Sequence, residues 1–117
     1  MLSECRLALR ITTDAYDGEL ASLMDAAASD LKIAGVMLPG SVSFETESTE
    51  TDGVTTYTIV DKSTLKDRLV QRAIFTYVRM HFGSPNDYDR LKESYNIQKV
   101  QLMHADRYTE FYGGDDR

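Results

Sequence analysis

At 117 residues the chain has the size of one ordinary domain. Its 19 acidic against 13 basic residues give a formal net charge of -6, which weighs against a free-standing nucleic-acid binder, since such a protein needs a basic patch to displace phosphate counterions. The single Cys5 excludes an intrachain disulfide, and neither a signal-peptide core nor an apolar run of membrane length is present, so we expect a chain made in a reducing cytoplasm with no membrane contact.

In chain order, residues 2–11 predict a short helix with Ser3 as N-cap and Glu4 in its first turn, burying Leu2, Leu7 and Leu9 or Ile11. A Thr12, Thr13, Asp14 cluster breaks the pattern. A second helix is predicted from Asp14 or Tyr16 to Ala34, with Gly35 as terminator. Tyr16, Leu20, Leu23, Met24, Ala27, Leu31 and Ala34 share one face, opposite Ser22, Asp25, Ser29 and Lys32. The run Ala26, Ala27, Ala28 either allows close approach of a neighbour or reflects helix propensity alone.

Past Leu38, Pro39 and Gly40 the composition turns to Ser, Thr, Val, Glu and Tyr. Asp52 and Gly53 form a two-residue turn signal between residues 42–48 and 54–60, and a hairpin of that length pairs Ser48 with Tyr57 and Thr46 with Ile59. Its acidic residues, Glu45, Glu47, Glu50 and Asp52, have no basic neighbour. A lone hairpin is marginal in water, so it leans on the helices or on another protein; the other reading is a mobile acidic loop.

Residues 65–82 form the organising helix, beginning at Asp61 or Ser63 and closed by Gly83. Leu65, Leu69, Val70, Ala73, Ile74, Tyr77, Val78 and Met80 cover more than half of its circumference. The remaining sector aligns Arg68, Arg72 and Arg79 with Phe75 and Phe82, a cationic and aromatic face suited to a second chain. Ser84 and Pro85 then read as N-cap and first residue of a fourth helix reaching about His104, with Tyr88, Leu91, Tyr95 and Leu102 on its seam. Ile97 and Val100 point away from that seam, toward another protein or at a bend. Tyr108, Phe111 and Tyr112 lie on a terminal segment without helical or strand period, which docks on its own domain or on a neighbour.

The expected fold class is mainly α: a small bundle of about four helices with a β-hairpin inserted between the second and third long segments. Residues 1–105 make one helical domain, with the hairpin insertion at about 41–61, and residues 106–117 make a C-terminal docking tail. Catalytic chemistry is not in view. His81 and His104 have no carboxylate or cysteine at a metal-ligand spacing, and phosphate loops, nucleophile elbows and paired Asp-x-Asp constellations are lacking. No enzyme, metal or cofactor is expected. The arginine line also admits a phosphate-tracking reading, in a small regulatory or nucleic-acid-binding module, but no continuous basic patch extends it.

The ordered blocks ITTDAYDGEL, VQRAIFTYVRMHFG and YDRLKESYNIQKVQL, followed by Tyr108 and Thr109, resemble the head-tail connector proteins (adaptor or head-completion proteins) of long-tailed double-stranded DNA phages. The resemblance covers most of the chain and rests on order and spacing, since none of the blocks is catalytic. It implies a mostly helical structural subunit of the virion neck, in a homo-oligomeric ring that is usually twelve-fold. Such a ring sits between the portal protein and a neck, stopper or tail-terminator protein, with genomic DNA passing through its lumen without sequence-specific contact. The expected subunit interface comprises Arg68, Arg72, Phe75, Arg79, Phe82, Ile97 and Val100, meeting the second or fourth helix of the next copy, with Tyr108, Phe111 and Tyr112 docking on a partner. The acidic hairpin departs from the plainer connection this family leads one to expect.

Overall fold

A computed structural model describes residues 1–83 and 85–105. Its centre is α3, Arg68–His81. Asp67 caps this helix, its carboxylate accepting from Leu69 N at 3.0 Å and Val70 N at 3.2 Å and so satisfying two of the otherwise orphaned N–H groups. Val70, Ala73, Ile74 and Val78 are wholly buried; each larger aliphatic among them contributes roughly 1.5–3 kcal/mol by leaving water.

The expected start of this helix is corrected. Leu65 is buried, but from an extended segment: Thr64 N and Leu65 N donate to Ser41 O at 2.9 and 3.1 Å. The segment through Leu65 runs extended beside Ser41, and the helix begins only past it, with Asp67 as its N-cap. Gln71, buried on the same helix, donates from Nε2 to Leu65 O at 2.9 Å, which fixes the extended segment on the helical body. Leu69, expected inside, is half-exposed.

Two helices flank α3. On one side lies α2, Asp17–Ile33, burying Leu20, Ala21, Met24, Ala27, Ala28 and Leu31, while Tyr16 sits just outside its N-terminus and partly in solvent. Gly35, with φ +98°, ends it, a backbone angle that costs glycine nothing. Against α3, and reaching Asp30 of α2 through Tyr95 and Lys99, lies α4, Tyr88–His104, with Leu91, Tyr95 and Leu102 buried. It begins at Tyr88 after Asp87, and the expected Ser84 cap lies outside the described residues. The short α1, Leu2–Ala8, packs on α2. Here Cys5 is wholly buried and Leu7 is 79% exposed, reversing the expected orientation of Leu7. Leu2 and Cys5 are three apart on one helical face, and Leu7 falls on the other. Met1, not Ser3, occupies the N-cap position, and Ser3 Oγ bonds Glu4 instead, at 3.0 Å.

The hairpin is β1, Phe44–Thr51, against β2, Val54–Asp61, antiparallel, with Ser48 opposite Tyr57 and Thr46 opposite Ile59 as the turn predicts. Asp52 at φ 54° and Gly53 at φ 77° make the left-handed two-residue turn whose twist matches the strands. Two strands of eight residues are a substantial element, not an ornament on a bundle. With 53% of the described residues in helix and 15% in strand, the protein is a small mixed α/β domain, which corrects the expected mainly α class. No described helix is long and apolar enough to cross a membrane.

The foot of the hairpin is built tightly. Phe44 and Ile59 on one face pack against the core, and pairing continues below the strands through Lys62 N to Ser43 O at 2.8 Å, Ser43 N to Ser63 Oγ at 3.0 Å and Ser41 N to Thr64 Oγ1 at 2.8 Å. Gly40, at φ +147°, crosses Leu65 so closely that a Cβ there would stand 2.7 Å from Leu65 Cα. Asp61 locks the same foot to α1. It accepts from the N-terminal ammonium at 2.7 Å, Leu2 N at 2.8 Å and Ser63 N at 2.9 Å.

Candidate assembly interface

Arg68, Arg72 and Arg79 stand exposed along α3, and among the described residues none of them has an ion-pair partner. Together with Phe75, which is partly buried, they line a groove of about 400 Å³. The opposite wall comes from α4: Arg90, Ser94 and Gln98, four residues apart and therefore on one helical face. Gln98 donates from Nε2 to Ser94 Oγ at 3.3 Å, and its buried Oε1 has no donor among the described residues. Arg90 is engaged by Asp87. The sequence alone gives no reason to place this α4 wall opposite the arginine line; the spacing of Arg90, Ser94 and Gln98 was its only available signal.

The other expected interface residues border this groove to different degrees. Arg79 and Phe82 share an adjoining hollow with Leu9 and Arg10, and Phe82 is already in edge-on contact with Tyr16, the ring centres 5.3 Å apart. Ile97 shares a hollow with Arg72. Val100 is farther round α4, with Ile97 and Asn96. Ile97 and Val100 are 51% and 48% exposed, so the phase slip in α4 turns apolar side chains outward. Tyr108, Phe111 and Tyr112 lie outside the described residues.

The acidic set stands elsewhere. Glu45, Glu47, Glu50 and Asp52 are all exposed on the hairpin. Strand alternation separates them: Glu45 and Glu47 share a face with Thr49, Thr56 and Thr58, whereas Glu50 shares one with Tyr57, Ile59 and Phe44. The face anchored by Phe44 and Ile59 continues outward to Tyr57, which is 70% exposed.

Perturbed ionisable groups serve the scaffold. Burial raises the Asp61 carboxyl, but hydrogen bonds from the N-terminal ammonium, Leu2 and Ser63 outweigh it and hold the group at about 2. Between α2 and α4, Asp30 accepts from Tyr95 Oη at 2.5 Å and Lys99 Nζ at 3.2 Å. Burial works against its charge, the two donors prevail, and its pKa is lowered. Burial and the bond to Asp30 push the Tyr95 phenol up. Burial likewise pushes the Cys5 thiol up to about 12, which leaves it an unreactive core residue. No group of three or more His, Cys, Asp or Glu that could hold a metal ion occurs among the described residues.

The charged groove and the acidic arm are separate exposed surfaces, and the perturbed ionisable groups brace the scaffold. Neither a curated protein nor a solved structure matches this chain. The family described as phage connector protein matches residues 1–109, and the chain belongs to that family.

Proposed function

We propose that this connector protein is the repeating subunit of a closed ring beneath the portal, extending the DNA channel and offering a platform to neck or tail proteins. Membership of the family makes it a structural protein of the virion head-tail junction, in a family that is not one of enzymes. The finer reading draws on one observation above all. The line of Arg68, Arg72 and Arg79 and the hairpin carboxylates of Glu45, Glu47, Glu50 and Asp52 lie on different surfaces of one small chain, and neither set has an ion-pair partner among the described residues. Closed rings are built from such unlike patches meeting head to tail.

The partners in this reading are further copies of the chain, the portal protein and a stopper or tail-terminator protein. DNA passes through the lumen unread. The net charge of -6 favours that passage, because like charge keeps a polyanion from adhering to the wall. Electron microscopy of purified particles, with the chain labelled, tests the assignment: density in a ring between portal and tail is expected, and a chain absent from the particle would refute it. Free in solution the protein is expected to show little DNA binding; tight, salt-sensitive binding in the monomer would favour a regulatory module using the arginine line.

A further inference from the structure

The spacing of two charge sets that have no ion-pair partner among the described residues points to how they meet. Resting on the ring reading above, we propose that β1 of one copy lies in the groove between α3 and α4 of the next, with Glu45 and Glu47 against Arg68 and Arg72.

Residues two apart on a strand repeat every ~6.8 Å on one face, and residues four apart on a helix repeat every ~6 Å. Glu45 with Glu47 and Arg68 with Arg72 therefore match to within about an ångström. The strand face thus offers carboxylates at the repeat of two arginines that have no ion-pair partner among the described residues. The face bearing Phe44 and Ile59 is held by its own core, which leaves the Glu45 and Glu47 face turned outward.

Other acidic segments fit less well. On α4, Asp87 is engaged by Arg90, and Lys92 and Lys99 interrupt the acids; on α2, Asp30 is engaged by Tyr95 and Lys99. Residues 44–61 contain five acids and no Lys or Arg, so β1 is a carboxylate surface with no internal neutralisation. An arm of eight residues reaches about 27 Å beyond its foot, consistent with the 63 Å length of a molecule only 35 by 19 Å across. Arm and groove are unlike surfaces on one chain, which is what head-to-tail contact around a closed ring requires.

Charge reversal on each side, then on both, tests the pairing. E45R/E47R and R68E/R72E are each expected to lower assembly more than about tenfold, measured by native mass spectrometry of the chain alone and on portal-bearing particles. The chain carrying all four reversals is expected to recover it. Circular dichroism and Tm of all three variants are expected to stay close to those of the unaltered chain, because the four positions are exposed. Undiminished assembly in either two-site variant would overturn the docking, as would failure of the four-site variant to recover while its Tm is intact. If R68E/R72E loses salt-sensitive DNA binding and assembles normally, the groove holds nucleic acid and the docking is wrong. An unaltered chain missing from particles would bring down the ring reading itself, a result distinct from a ring that forms without these pairs.

Discussion

The helical body and the hairpin are stabilised on opposite terms. In the body, side chains from α2, α3 and α4 enclose Leu20, Met24, Leu31, Val70, Ile74 and Val78 from all sides. In the hairpin nearly every side chain beyond Phe44 and Ile59 meets solvent, and order comes from a matched turn, a backbone ladder and a bonded foot. One half is held by what it excludes from water and the other by where its chain is tied down. Residues that determine stability and residues exposed on the arm are therefore different residues here, and substitutions can address them separately.

The largest expected effect is in the body. Ile74→Ala removes a wholly buried side chain and is expected to cost about 2–5 kcal/mol, read by urea unfolding; a loss below about 1 kcal/mol would mean that the centre of α3 is not packed as described. Gly40→Ala follows. It introduces a Cβ 2.7 Å from backbone at a φ that L residues rarely adopt, and a loss of roughly 1–3 kcal/mol is expected, concentrated in hydrogen exchange at the hairpin foot. Asp61→Asn is expected to cost about 2 kcal/mol, the scale of a hydrogen bond to a charged group.

Asp61 also carries a pH signature. Its folded pKa lies below its ordinary 3.8, at about 2, so its contribution is fully present above pH 3.8 and is lost as pH falls toward 2. Burial opposes the charge of the N-terminal ammonium, but Asp61 and Glu4 raise its pKa above 8.0, so that contribution is complete below pH 8 and fades as pH rises through the folded value. A chain with Asp61→Asn is expected to show a flatter Tm profile between pH 2 and 4; an unchanged profile would remove Asp61 from the account of the foot. The smallest effect belongs to the arm. Tyr57→Thr, at a site 70% exposed, is expected to change stability by less than about 0.5 kcal/mol, and a larger loss would show that the arm is held by contacts of its own.

The hairpin register was legible because a two-residue turn at Asp52 and Gly53 leaves no freedom in pairing, so Ser48 and Tyr57 follow from counting. The arginine line was legible for a similar reason, as helical spacing alone aligns Arg68, Arg72 and Arg79 on one side. The start of α3 was not, because Leu65 continues the apolar phase of the helix and nothing local reveals that its N–H belongs to Ser41, 24 positions earlier in the chain. Leu7 was expected inside and lies in solvent because a seven-residue helix offers too few turns for its apolar residues to define a face. The α4 side of the groove was invisible for a tertiary reason: Ser94 and Gln98 are ordinary surface residues until α3 is laid beside them. The class was misjudged because a hairpin thought of as an insertion turned out to contribute two full strands.

The crossing of Gly40 and Leu65, with the Asp61 lock beside it, makes the arm a lever with a fixed fulcrum. A freely jointed arm has to be oriented when it meets its partner, and each rotamer-rich side chain or loop ordered at that moment costs binding free energy. Here the two feet of the ribbon are bonded to each other, to the N-terminus and to the approach of α3 before any encounter. The arm therefore leaves the body in one direction fixed by bonds at both of its strands, and the ordering of its base is already complete in the isolated subunit.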